Sequence, residues 1–237
     1  MWLFLGMKKV FFLFVILIAF VACKKETTTS IVFDLQNFSG TTPMGRGYII
    51  DSNDYKFLFS NFEWVDANSN VTKIKDLFLL SKNNNTIVFN KPKDDFKTIR
   101  FYLGIDKSTN NTLPISYPAS NPLSVESGLY WDMLKYRFII VEGKIDNSLA
   151  KNQTPTMPFS MHLGADTLYT PITTNIIPQP NSTLHVNIDL SKLFVLDEPV
   201  FAIKNFSNHS EAAQLEDAIS IKNNLLSGIK FSVTFNK

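Results

Sequence analysis

The chain of 237 residues contains a single cysteine, Cys23. One thiol cannot form an internal disulfide, and it cannot supply a metal site built from several cysteines. Glycine is scarce, with nine residues, and no glycine-rich phosphate-binding loop occurs. The G-x-S-x-G and H-E-x-x-H motifs of serine hydrolases and zinc proteases are also missing. We therefore expect a protein that is not an enzyme.

An excess of positive charge is lacking as well. The sequence carries 23 Lys and Arg residues against 21 Asp and Glu residues, and two of the lysines, Lys8 and Lys9, lie near the N-terminus. Without these two lysines the charges balance, so nothing builds the basic surface that nucleic-acid binding requires. Hydrophobic residues make up 45% of the chain, which is enough for a packed core and excludes a disordered protein.

The N-terminal segment has the pattern of a bacterial lipoprotein signal peptide. A basic start at Met7 is followed by an apolar run, residues 10–21, and by the sequence FVAC ending at Cys23. We predict a signal peptide over residues 1–22, with its true start at Met7, and a lipid on Cys23 that anchors the protein to a membrane. Residues 23–30 then comprise the lipidated cysteine and a polar tether. A transmembrane anchor is the alternative, although the apolar run is short for a span of about 20 residues.

Residues 31–237 are predicted to form one all-β domain. Strand-length runs rich in apolar and β-branched residues alternate with polar turn sequences, as in a sandwich or barrel. The predicted strands span residues 31–38, 48–50, 55–65, 72–80, 86–89, 98–105, 136–142, 159–163, 183–190 and 228–235. Tyr136–Val141 is apolar on both faces apart from Arg137, which indicates a central, buried strand.

One helix is predicted near the C-terminus, before the last strand. Ser207 or Ser210 is suited to cap its start, and Gly228 lies where a helix would end. An apolar stripe with helical spacing comprises Ala212, Leu215, Ile219 and Leu226.

The chain has three histidines, which differ in their settings. His209 lies at the start of the predicted helix, where the helix dipole would keep the imidazole neutral and able to bind a metal. His162 lies near Met157 and Met161, whose thioethers suit Cu(I), but strand alternation directs Met161 to the opposite face from His162. His185 occupies the polar face of a regular strand, and we interpret it as solvent-exposed.

Four short motifs resemble those of the MbnP-like family of methanobactin-associated, copper-binding-type extracytoplasmic proteins, which are common as lipoproteins in Bacteroidota. The motifs are LGID at 103–106, GLYW at 128–131, Tyr136 with the strand up to Gly143, and HLG at 162–164. The resemblance extends over most of residues 30 to 237. It implies an immunoglobulin-like β-sandwich with one short C-terminal helix before the last strand.

The resemblance also implies a site. Copper would be bound by histidines together with a tryptophan that a partner di-haem peroxidase oxidises to kynurenine. Trp131 and His162 match the family positions, and His209 is a further candidate metal ligand. A methionine, a tryptophan and a glycine of the family pattern are replaced here by Leu129, Met133 and Lys135.

Two functions remain open at this point. The first is a membrane-anchored copper-binding or copper-handling lipoprotein, on the periplasmic face or the surface of the outer membrane. The second is a structural or protein-interaction lipoprotein on the same sandwich, with its aromatic residues in the core and its histidines at the surface. The two functions differ in whether two of the histidines converge near Trp131.

Overall fold

The computed structural model describes residues 28–90, 96–194 and 207–235. The predicted signal peptide, the lipidation site Cys23 and the first part of the predicted tether lie outside these residues. The last part of the tether prediction was wrong, because residues 28–30 already belong to a strand in which Ser30 pairs with Val88 and Thr183. Within the described ranges, no helix combines the length and apolarity needed to cross a bilayer.

The described part of the chain contains two α-helices and a larger number of strands. The helices are α1 (Lys107–Asn110) and α2 (Leu215–Ser227). The strands are β1 (Thr28–Gln36), β2 (Ser39–Thr41), β3 (Gly47–Asp66), β4 (Val71–Leu80), β5 (Thr86–Asn90), β6 (Phe96–Leu103), β7 (Tyr130–Trp131), β8 (Lys135–Tyr136), β9 (Ile139–Ile145), β10 (Met157–Leu163), β11 (Thr170–Thr174), β12 (Ser182–Asp189), β13 (Ser207–Asn208) and β14 (Lys230–Phe235).

Two sheets form the layers of the fold. One sheet has the strand order β14-β12-β1-β5, with β1 and β12 parallel. The other follows the order β11-β6-β3-β9-β10-β13, and β2 and β4 also pair with β3. The first half of β3 pairs with β9, and its second half pairs with β4 and β6.

The core lies between these sheets. Phe33 of β1 stacks on Phe59 of β3 at 4.9 Å between ring centroids, and on Phe78 of β4 at 5.4 Å. All three rings are almost fully buried, so the inner faces of the two sheets share one aromatic layer. The predicted all-β sandwich fold, with one short helix before the last strand, is confirmed.

Several strand predictions change in detail. The two runs predicted at 48–50 and 55–65 form the single long strand β3, and the predicted central strand is divided into β8 and β9. Its central position is confirmed, since β9 lies between β3 and β10 and Ile139–Val141 is buried. Strands β2, β7, β11 and β13 were not predicted, because runs of two to five residues carry too little alternation to be recognised.

The C-terminal helix begins later than predicted. A 3₁₀ turn at Ala212–Gln214 leads into α2, which ends at Ser227 with Gly228 as its C-cap, as expected. Neither serine caps it, because the residue at its N-terminus is Gln214. The predicted apolar stripe is confirmed in part, since Ile219 and Leu226 pack against the core, whereas Ala212 is exposed. The fully buried residues of α2 are Ala218, Ile221, Lys222 and Leu225.

A buried amide helps to fix the long segment between β6 and β9 to the sandwich. Asn110, at the end of α1, accepts a hydrogen bond from the backbone N–H of Tyr136 at 3.2 Å and donates one to Asp166 at 2.8 Å. The Tyr136 hydroxyl donates to the carbonyl of Leu123 at 3.0 Å, within the same segment. These bonds fix the base of the β7–β8 hairpin, which carries Trp131.

Gly143 provides a test of how closely β9 packs between its neighbours. A Cβ at this position would lie 2.2 Å from the carbonyl oxygen of Ile49 and 2.7 Å from a ring carbon of Phe159. We expect Gly143→Ala to lower the free energy of unfolding by about 2–3 kcal/mol, because the backbone of β3 cannot move away without breaking its pairing. Urea unfolding measures this change.

The matched control is Gly47→Ala in the same sheet. Its new methyl group would meet only two ring carbons of Pro155, at 3.4 Å and 3.8 Å. Equal unfolding midpoints for the two variants would contradict the close packing of β9.

Candidate metal site

Strand register brings His162 and His209 together. β13 pairs with β10 in parallel, with Ser207 opposite Ser160 and Asn208 opposite Met161. His209 is the next residue after β13, so it lies beside His162 on the outer face of the sheet. The two imidazole centroids are 5.1 Å apart and the rings are almost perpendicular, at 89°.

The β7–β8 hairpin adds the indole ring of Trp131 to this pair. Trp131 pairs with Lys135, and the N–H of Leu134 donates to the carbonyl of Trp131 at 2.9 Å to close the turn. The Trp131 ring centroid lies 5.3 Å from that of His209 and 6.4 Å from that of His162, in edge-to-face contact with both. The three predicted site residues therefore converge, and their role in metal binding stays a prediction.

Both ring nitrogens of His162 have partners. Nε2 lies 2.7 Å from Oε1 of Glu142, and Nδ1 lies 3.3 Å from Nη1 of Arg137. A guanidinium can only donate hydrogen bonds, so Nδ1 must accept, and the ring proton is then on Nε2 and is donated to Glu142. His162 thus directs a lone pair from Nδ1 towards Arg137.

Burial disfavours the charged form of this ring. Desolvation is the main cause that lowers the pKa of His162 below its ordinary value of 6.5, and the positive charge of Arg137 lowers it further. The hydrogen bond to Glu142 acts in the opposite direction and raises the pKa, but it does not outweigh burial. A neutral imidazole is the form that binds metals.

His209 has an orphan nitrogen. Its Nδ1 is buried and has no hydrogen-bond partner, while its Nε2 lies 3.5 Å from the hydroxyl of Ser160. The Ser160 hydroxyl itself donates to Ser207 at 3.0 Å, which leaves its oxygen able to accept a proton from Nε2. A buried polar atom without a partner is costly and marks a position where a ligand can bind.

Sequence reasoning missed Arg137, Glu142 and Ser160 as parts of the site. Arg137 was visible as the one charge within an apolar run, and that signal could have identified it. Glu142 had no comparable signal. Glu142 is two residues from Ile140, which lies opposite His162. The contact between Glu142 and His162 therefore depends on the register of β9 and β10.

Other candidates lie away from the cluster. Met161 is fully buried and faces the core, so it does not contribute a thioether beside His162. His185 belongs to the other sheet, where its ring nitrogens lie 2.6 Å from Asp34 and 2.9 Å from Thr234. Its side chain is 26% exposed, so it is partly open to solvent and partly covered by its neighbours.

The helix-dipole argument for His209 was wrong. The 3₁₀ turn that precedes α2 begins at Ala212, so His209 lies outside the helix. Its backbone N–H instead donates a hydrogen bond to the Gln214 side chain at 2.9 Å.

Across residues 28–90, 96–194 and 207–235, no three His, Cys, Asp or Glu side chains are grouped as a metal site. The candidate metal site consists of the imidazoles of His162 and His209 and the indole of Trp131.

The family model described as MbnP matches residues 23–216 of the sequence. The chain belongs to the MbnP family. Among solved structures, MbnP from Methylosinus trichosporium matches with a TM-score of 0.50 and 16% sequence identity, over 70% of this chain and 77% of that chain. At this identity the MbnP structure supports the fold alone. No curated protein sequence matches significantly.

The matched range of the MbnP model includes each residue of the cluster around Trp131.

We expect His162 to be neutral near neutral pH, with its proton on Nε2, because Glu142 accepts that proton and Arg137 occupies Nδ1. Long-range ¹H–¹⁵N spectra of the metal-free protein labelled at histidine will show this, and a His162→Gln variant assigns the signals. A proton on Nδ1 would contradict the arrangement.

Proposed function

We propose that this protein is a membrane-anchored extracytoplasmic lipoprotein that binds copper between His162 and His209, with Trp131 packed against both rings. The observation that carries the proposal is the buried, unpartnered Nδ1 of His209, in a ring 5.1 Å from that of His162. Membership of the MbnP family and the signal-peptide pattern before Cys23 support it.

The donor set suits copper. Neutral imidazole is a good ligand for this metal, and each histidine offers an Nδ1 lone pair. Glu142 accepts the Nε2 proton of His162, as the carboxylate partners of metal-binding histidines commonly do, and this fixes the tautomer. The indole of Trp131 packs edge-to-face against both rings. In this proposal copper is the cargo that the protein holds or hands on.

A second function is favoured by one specific observation. The guanidinium of Arg137 bonds to His162 and lies 5.8 Å from the centre of the Trp131 ring, so three residues of the cluster pack together without a metal. This packing is what a structural or protein-interaction lipoprotein would require. Copper retention separates the two functions.

We expect the full-length chain, purified in detergent and loaded with copper, to retain about one equivalent after desalting. His162→Ala and His209→Ala should each lose most of this copper, because each removes one of the two imidazoles. His185→Ala is the matched control, since that histidine lies in the other sheet, and it should retain copper like the unaltered chain. Elemental analysis measures the metal content.

Copper below about 0.1 equivalent in the unaltered chain would contradict the proposal. The double variant His162→Ala/His209→Ala serves as the blank, because it corrects for any copper held elsewhere on the chain.

We also propose a di-haem peroxidase as partner, acting on Trp131. Trp131 is half-buried at a hairpin, whereas Trp64 is only 1% exposed in the core. In cells that contain such a peroxidase, mass spectrometry of digested protein should find kynurenine at position 131 and unmodified tryptophan at position 64. Unmodified Trp131 in those cells would contradict this partner.

A further inference from the structure

All three nitrogen atoms of the Arg137 guanidinium form hydrogen bonds at the site. Nε donates to the carbonyl of Leu129 at 3.2 Å, Nη2 donates to the carbonyl of Gly128, and Nη1 reaches Nδ1 of His162 at 3.3 Å. The guanidinium carbon also lies 5.8 Å from the Trp131 ring centroid, within cation–π range. A positive charge is therefore already held against two of the three candidate site residues.

This charge and a copper ion require the same lone pair. Nε2 of His162 carries the proton that Glu142 accepts, so Nδ1 is the nitrogen that can bind a metal, and Arg137 occupies it. The guanidinium would also repel a second cation placed between the imidazoles, because the site is partly buried and weakly screened. His162 cannot bond to both cations through one nitrogen.

We propose that Arg137 is an internal cation that competes with copper for Nδ1 of His162. This competition lowers the copper affinity of the site and determines its value. The inference rests on the proposed copper-binding function. On binding of copper, the guanidinium leaves His162. Glu142 stabilises the displaced charge, since its carboxylate attracts Arg137 and its side chain is 46% exposed.

The test compares copper affinities of the full-length chain in detergent, by competition with a coloured Cu(I) chelator. Arg137→Gln removes the charge and keeps a side chain able to donate a hydrogen bond. We expect it to bind copper roughly tenfold more tightly or better, because a repelling charge at this spacing is removed.

Arg46→Gln is the matched control. Arg46 likewise donates to backbone carbonyls of a loop, those of Asp146 at 3.0 Å and Ser148 at 2.9 Å. Its loss removes comparable loop contacts at a position remote in sequence from the histidines, and the copper affinity should stay unchanged.

A second measurement keeps the proposal testable where Arg137→Gln disturbs the hairpin. In Arg137→Ala, guanidinium chloride at millimolar concentration should weaken copper binding competitively, with sodium chloride at the same ionic strength as control. The unaltered chain should show no such competition. In the metal-free proteins, the ¹⁵N resonance of His162 Nδ1 should shift in Arg137→Ala and return towards its original position when guanidinium is added.

The outcomes separate this inference from the proposed function. Copper binding by the unaltered chain, with equal or weaker binding by Arg137→Gln and no competition by guanidinium, would overturn the inference alone. Binding by Arg137→Gln but not by the unaltered chain would support the inference and overturn the proposed function of the natural chain. Binding by neither protein would overturn both.

Discussion

The parallel pairing of β13 with β10 determines where His209 lies, and the whole cluster depends on this register. β13 has only two residues, so side chains must hold the segment that contains it. The amide of Asn208 accepts from the N–H of Ser210 at 2.9 Å and donates to the carbonyl of Gln214, and the Ser210 hydroxyl accepts from the N–H of Gly164. Ser210 adopts the left-handed conformation, with φ of 55°, to make this turn. A single-residue slip would direct His209 to the opposite face from His162.

The β7–β8 hairpin imposes the second constraint, because it positions Trp131. Lys135 lies at φ of 62°, a left-handed conformation that glycine adopts without cost and that other residues adopt at about 1 kcal/mol. The resemblance to the family implies a glycine at this position, and the left-handed conformation of Lys135 agrees with that expectation. Met133 is 67% exposed in the turn of the hairpin. Met133 and Lys135 lie in the hairpin, whereas Leu129 is buried in the core, and Trp131 contacts both imidazoles.

The sequence predicted those features that local patterns determine. Alternation in β10 correctly placed Met161 and His162 on opposite faces, and the turn-rich spacing correctly indicated an all-β fold. The remaining features depend on contacts between distant segments, which local patterns do not contain. His209 lies beside His162 through a pairing of strands 47 residues apart, and Glu142 reaches His162 across β9 and β10. Ser207 and Ser210 matched a helix-cap pattern, but their hydroxyls bond to β10 and to Gly164, a competing use of the same chemistry.

The charges of the residues around His162 nearly cancel. Arg137 and Glu142 carry opposite charges, His162 is neutral, and the cluster is therefore close to electrically neutral without a metal. Burial lowers the pKa of both Arg137 and His162, which means that each additional positive charge placed here is disfavoured. A monovalent copper ion added beside a fixed Arg137 would leave one uncompensated positive charge. The same ion in exchange for the guanidinium at Nδ1 would keep the local charge unchanged, because Arg137 would then lie nearer to solvent. Electrostatics thus favours an exchange of cations at His162 over the addition of a second cation.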